Sequence, residues 1–207
     1  MATTYVALIA DAVGSRALAP KVRARLQADL RGAVRDFNAR YRKSLAARFA
    51  VTLGDELQAL FTGPDPVWDL SHALRHEFPN VDWVIAWGRG GLTTPLHRGA
   101  AAPELDGPCF HAARAALDRA KRRRQVLAFE GFNPLLDAFA QYYSALYWSW
   151  TPRQRRAANE LRTRGESLLQ LADRLGIVPS ALSHLRRRMA WTLVATGDKV
   201  FQDLIAK

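Results

Sequence analysis

What most constrains the chain is the order in which its apolar residues change period. Tyr5-Val-Ala-Leu-Ile-Ala10 is a short, partly β-branched run ending at Asp11-Ala-Val-Gly-Ser15, the pattern of a buried strand followed by a loop. From Pro20, the residues Val22, Leu26, Leu30, Val34, Phe37 and Tyr41 recur every three or four positions among many arginines, so one stripe of a helix faces a core. Arg48-Phe-Ala-Val-Thr52 and Glu56-Leu-Gln-Ala-Leu-Phe61 flank Leu53-Gly54-Asp55 and read as a hairpin. Pro66 opens a helix with Val67, Leu70, Leu74 and Phe78 on one side, and Val81 to Trp87 is a fourth strand closed by Gly88, Gly90 and Gly91. The order β-α-β-β-α-β predicts a split βαβ, ferredoxin-like arrangement with the first and third strands as antiparallel neighbours. Asp11, at the end of strand one, is then expected beside Asp55, at the turn that begins strand three.

Further along, Gly107 to Arg119 reads as a helix and Gln125 to Phe129 as an edge strand. Asn133 to Trp150 is an aromatic-rich helix with Asn133 as N-cap and Pro134 at its first position. Its aromatics Phe139, Tyr142, Tyr143, Tyr147, Trp148 and Trp150 are read as core or interface packing. At Thr151-Pro152 the character changes to short arginine-rich helices, and residues 151–191 hold nine Arg against three acids.

Composition removes several classes. With 49 % apolar and 24 % charged residues the chain is neither disordered nor collagen-like. Cys109 stands alone, so there is no intrachain disulfide and no cysteine-built zinc site. The first apolar run stops at Asp11, too short for a signal segment, and no run reaches the roughly 20 residues of a membrane span. A cytoplasmic protein without a membrane partner is expected. The net charge of +11 points to a polyanionic partner, although 25 of the 30 cations being Arg also fits genome base composition.

Ser167 to Arg186 has the spacing of a helix-turn-helix. Ala172 is small where two helices cross, Gly176 suits a left-handed helix end, and Leu171, Leu175, Ile177, Leu182 and Leu185 fill a small core. A second helix starting near Pro179-Ser180 would expose Ser180, Ser183, His184 and Arg187 toward base edges, with Arg186 and Arg188 near phosphates. The segment resembles the helix-turn-helix of sigma-factor region four, which implies DNA as partner. A helical hairpin that packs on the first domain and binds nothing is the plainer alternative.

Ile9-Ala-Asp11-Ala-Val-Gly-Ser15 and Thr52-Leu-Gly-Asp55-Glu56 resemble the two metal-binding motifs of class III nucleotide cyclases, whose fold is a palm. The resemblance implies Asp11, Asp55 and Glu56 as Mg²⁺ ligands, and Gly14, Ser15, Arg16 and Arg114 as contacts to a nucleoside triphosphate. Val51 stands where cyclases often carry a purine-reading lysine, and His111 replaces the asparagine of the later cyclase helix. Taken with Asp106-Gly-Pro-Cys-Phe-His-Ala-Ala-Arg114 and the terminal helix-turn-helix, these motifs resemble the SatD family of bacterial proteins. The expected architecture is α+β: a ferredoxin-like, palm-type domain over 1–130, an aromatic connecting helix over 131–150, and a small all-α helix-turn-helix domain over 151–207.

Three functions follow as expectations. The first is a homodimeric DNA-binding regulator whose palm senses a nucleotide or metal. The second is a Mg²⁺-dependent nucleotidyl transferase or cyclase-like enzyme recruited to DNA, and the third an adaptor for protein contacts. Outside these motifs, His72 and His76 lie i, i+4 without a third ligand and are expected at the surface. Arg119 to Arg124 is either a phosphate contact or a solvated helix end.

Overall fold

Strand β1 (Tyr5–Ala12) is apolar on both faces because both faces are covered. The computed structural model describes residues 3–52, 54–162 and 167–206, Arg16 by its backbone alone. Among these residues are a five-stranded sheet and eight α-helices. The other strands are β2 (Leu45–Val51), β3 (Glu56–Phe61), β4 (Trp83–Gly90) and β5 (Leu127–Glu130). Their order is β2-β3-β1-β4-β5, with β1 antiparallel to both β3 and β4 and with β5 added parallel to β4 at the edge. The antiparallel pairing of first and third strands expected from the sequence is present.

Helices α1 (Pro20–Arg40) and α2 (Pro66–Glu77) cover one face, where Val6, Leu8, Ala10 and Ala12 of β1 meet Leu30, Phe37, Leu70 and Leu74. Helix α3 (Pro108–Arg123) covers the other, where Ala7 and Ile9 meet Cys109, Ala113, Ala116 and Leu117. Gly88 and Gly90 do not close β4 but continue it. A Cβ on Gly88 would stand 2.2 Å from the backbone of Cys109 and Ala113, so the absent side chain is what lets α3 lie on the strand.

Beyond the sheet come α4 (Pro134–Ser149), α5 (Pro152–Leu161), α6 (Leu168–Arg174), α7 (Pro179–Arg188) and α8 (Trp191–Ala206). Asn133 caps α4 by accepting from the Leu135 amide, and Thr151 and Ser167 each form a capping box. The core does not break at residue 151. Tyr143, Tyr147 and Trp150 of the aromatic segment, Ala157 and Ala158 of α5, and Val194, Phe201 and Ile205 of α8 join the same apolar cluster as β1 and α1. Leu171, Ala172 and Leu182 form a separate small core between α6 and α7.

Polar groups reinforce this junction. Arg75 of α2 is buried and donates to the carbonyls of Trp83 and Val126, while Asn159 of α5 donates to the Arg75 carbonyl. Asp82 accepts from the Tyr147 hydroxyl at 2.7 Å and from Arg155 at 2.8 Å. Arg162 pairs with Asp198 of α8 inside a box of Trp68, Tyr143 and Trp191. His72 is not at the surface as expected: its ring is buried edge-on to Trp68 at 4.3 Å, because α5 and α8 cover the side of α2 that carries it. Burial, with Arg162 and Arg75 adding to it, holds His72 well below the usual histidine range, so its ring is neutral. His76 stays exposed, 3.5 Å from Glu160.

Candidate functional site

The edge of the sheet where β1 ends and β3 begins gathers the first set of candidates. Side chains alternate across a strand, so Ala7, Ile9 and Asp11 share one face of β1 and Glu56, Gln58 and Leu60 share that face of β3. Asp11 is thus directly opposite Glu56, not Asp55. Like charges opposed in this way repel. Helix α3 crosses above and supplies a cation to each from residues seven apart, two turns along one side. Lys121 Nζ lies 2.9 Å from Asp11, and Arg114 donates to both oxygens of Glu56 at 2.6 and 2.7 Å.

Glu56 also accepts from Thr52 Oγ1 at 3.1 Å and Gln58 Nε2 at 2.8 Å. Burial alone would push its pKa up, but the bonds from Arg114, Gln58 and Thr52 outweigh it and hold the carboxyl below the usual glutamate range. Asp55, one residue before β3, is buried at 6 % exposure. Gly54 turns the hairpin at φ 89°, a conformation suited to glycine, while Leu53 lies outside the described residues. Gly14 also turns left-handed, at φ 71°, to leave β1, and the buried Ser15 follows. The Arg16 side chain lies outside what is described.

Among the described residues, no three His, Cys, Asp or Glu side chains group to hold a metal ion. Of the three expected ligands, Asp11 and Glu56 carry an ammonium and a guanidinium on the oxygens that Mg²⁺ would need, and Asp55, next to Glu56 in sequence, is buried. From the sequence, Arg114 is expected on phosphate and Lys121 lies inside the Arg119–Arg124 run with no role of its own. The seven-residue spacing of the two cations on α3 was the signal available.

The second set lies on α7. Helix α6 ends where Leu175 precedes Gly176, which takes φ 64°, and Ile177 closes the turn by donating to the Ala172 carbonyl. Leu182 points into the small core, and Leu185 packs against the main one. Ser180, Ser183, His184, Arg187 and Arg188 are exposed and Arg186 is half-buried. The Ser183 hydroxyl is turned back on the Pro179 carbonyl at 3.1 Å. Arg187 bonds His184 Nδ1 at 2.9 Å. A guanidinium only donates, so Nδ1 accepts in this contact. Among the described residues, Arg186, Arg187 and Arg188 form no ion pair with an acid.

Among the described residues no helix is long and apolar enough to cross a membrane. No curated protein matches the chain. The model of the SatD family matches residues 5–126, from the start of β1 through α3 to the approach of β5, and the chain belongs to the SatD family.

Proposed function

We propose that the protein is a DNA-binding transcriptional regulator that places α7 in the major groove, on an N-terminal scaffold of ferredoxin-like, palm type. The observation that carries this reading is the outer face of α7: serine, histidine and arginine exposed together, with arginines that pair with no acid among the described residues. Ser180, His184 and Arg187 contact base edges, and Arg186 and Arg188 approach phosphates. A homodimer would set two copies of α7 on half-sites about 34–36 Å apart. The core shared through α5 and α8 reaches Leu185 of α7 and Met189 just after it, which gives a contact path from the scaffold to the binding helix.

The alternative, Mg²⁺-dependent nucleotidyl transfer in the cytoplasm, asks Asp11, Asp55 and Glu56 to hold metal and Arg114 to meet a nucleoside triphosphate. The ion pairs from Lys121 and Arg114 weigh against it. The test is selection of duplexes from a random pool by the wild-type protein, repeated with His184→Ala, Arg187→Ala. The reading expects one enriched sequence with the wild type and none with the variant. The same enriched sequence from both proteins would overturn it.

A further inference from the structure

The arginine run at the end of α3 leads into a second basic feature that the α7 reading does not use. A recess of about 520 Å³ opens between the end of α3 and the outer side of α4, a volume within the usual range of ligand sites. Arg123 and Arg124 line it from one side and Gln141, Ser144 and Trp148 from the other. No acidic residue is among its walls.

Two further observations point to a ligand. Gln125 lies in the recess with its side chain buried, and neither its amide nitrogen nor its amide oxygen has a hydrogen-bond partner. Native proteins rarely leave a buried amide wholly unsatisfied. Arg124 caps α3 at φ 54°, the left-handed position where glycine is the ordinary choice. A non-glycine residue is strained there. The strained backbone holds Arg124 with its carbonyl accepting from Trp148 Nε1 at 2.6 Å and its guanidinium over the Trp148 ring at 5.8 Å. The fold thus keeps an arginine at a position where glycine would fit better, beside a second arginine and an unsatisfied amide.

We infer that this recess binds a phosphate group, held by the guanidinium groups of Arg123 and Arg124, with the Gln125 and Gln141 amides meeting neighbouring polar atoms of the ligand. Phosphate matches two adjacent guanidinium groups through paired, charge-assisted bonds. The phosphate belongs either to a free organic phosphate or to a nucleic-acid backbone. The site is separate from both the Asp11–Glu56 cluster and α7, and its ligand is read without reference to either.

The experiment titrates the full chain with inorganic phosphate, with adenosine monophosphate in the absence of metal, and with a short duplex of random sequence. Each titration is repeated on Arg123→Gln and on Arg124→Gly. Arg124→Gly removes the guanidinium while relieving the backbone, so its Tm should equal or exceed the wild-type value and misfolding cannot explain lost binding. A free-ligand site is supported by wild-type binding of phosphate and the monophosphate that weakens about tenfold or more in each variant. A backbone site is supported by wild-type binding of the duplex alone, with the slope of log K against log salt reduced by about 1 in each variant. Equal binding of every probe by wild type and variants, or no binding of any probe, overturns the proposal. His184→Ala, Arg187→Ala should leave phosphate binding unchanged, so this inference and the α7 reading fail separately.

Discussion

The end of β1 and the outer face of α7 use the same side-chain chemistry to opposite ends. At the sheet edge, two carboxylates side by side on one face are each met by a cation from α3, and the group closes on itself. On α7, Arg187, Arg188 and His184 stand in solvent beside the half-buried Arg186, and among the described residues none of the three arginines pairs with an acid. A charge satisfied within the fold stabilises the fold and is unavailable to a partner, whereas a charge left exposed adds little to stability and is free to recruit an anion. Among the described residues, the motif resembling a metal site is thus closed by ion pairs, whereas the proposed interaction surface on α7 is open.

The largest effect should come from the open side. On the proposed reading, replacing His184 and Arg187 together removes two base contacts, each worth about 1–3 kcal/mol of discrimination. Fluorescence anisotropy should show at least a tenfold loss of preference for the selected duplex. Undiminished preference would place recognition on another surface.

Next in size is the small core under that face. Leu182→Ala should destabilise the α6–α7 unit by about 2–4 kcal/mol. Hydrogen exchange should then show lost protection in α6 and α7, with the β1 and β4 amides unchanged. Uniform loss throughout the chain would mean that the unit has no separate stability.

On the closed side, Arg114→Met leaves Glu56 charged, 13 % exposed and short of its main partner. Because Arg114 is itself 43 % exposed, the cost is discounted to about 1–2 kcal/mol. Adding Glu56→Gln should recover most of it. The pH dependence has a definite sign: Glu56 has a folded pKa below its unfolded value, so its contribution is full above about 4.3 and is lost as pH falls through the folded value. Urea midpoints of Glu56→Gln should fall less on acidification than those of wild type. A steeper fall would contradict the assignment.

The smallest effect concerns Arg188. Changing it to Gln should weaken binding to all duplexes alike and flatten the salt slope by about 1. A sequence-dependent loss would move Arg188 from the phosphate group to the base-reading group.

Much of the sheet was legible because its signals are local. The Gly-Asp turn, the apolar runs and the Asn133-Pro134 start needed no knowledge of distant residues, and β1 does pair with β3. What was not legible depends on contacts between segments far apart. Asp11 and Glu56 share a face only once the register is fixed, and their cations come from a helix that begins more than fifty residues after β3 starts. The glycines after Trp87 read as a strand end, yet Gly88 is there because α3 comes within a Cβ's reach. His72 read as a surface residue because the helices that bury it, α5 and α8, lie far downstream. Helix α8 carries an ordinary apolar stripe, Val194, Phe201 and Ile205, but nothing in the stripe says that it packs on α2 and α4 and joins the two halves into one core.

On the proposed reading, recognition rests on the open face of α7 and not on the closed Asp11–Glu56 cluster. The most direct measurement is the affinity of the full chain for its selected duplex and for a scrambled one, at fixed salt. Wild type would be compared with two double variants, one carrying His184→Ala and Arg187→Ala, the other Glu56→Gln and Arg114→Met. The first pair should abolish the difference between duplexes, and the second should leave it intact. Loss of the difference in the second pair, or its survival in the first, would mean that α7 is not the recognition surface.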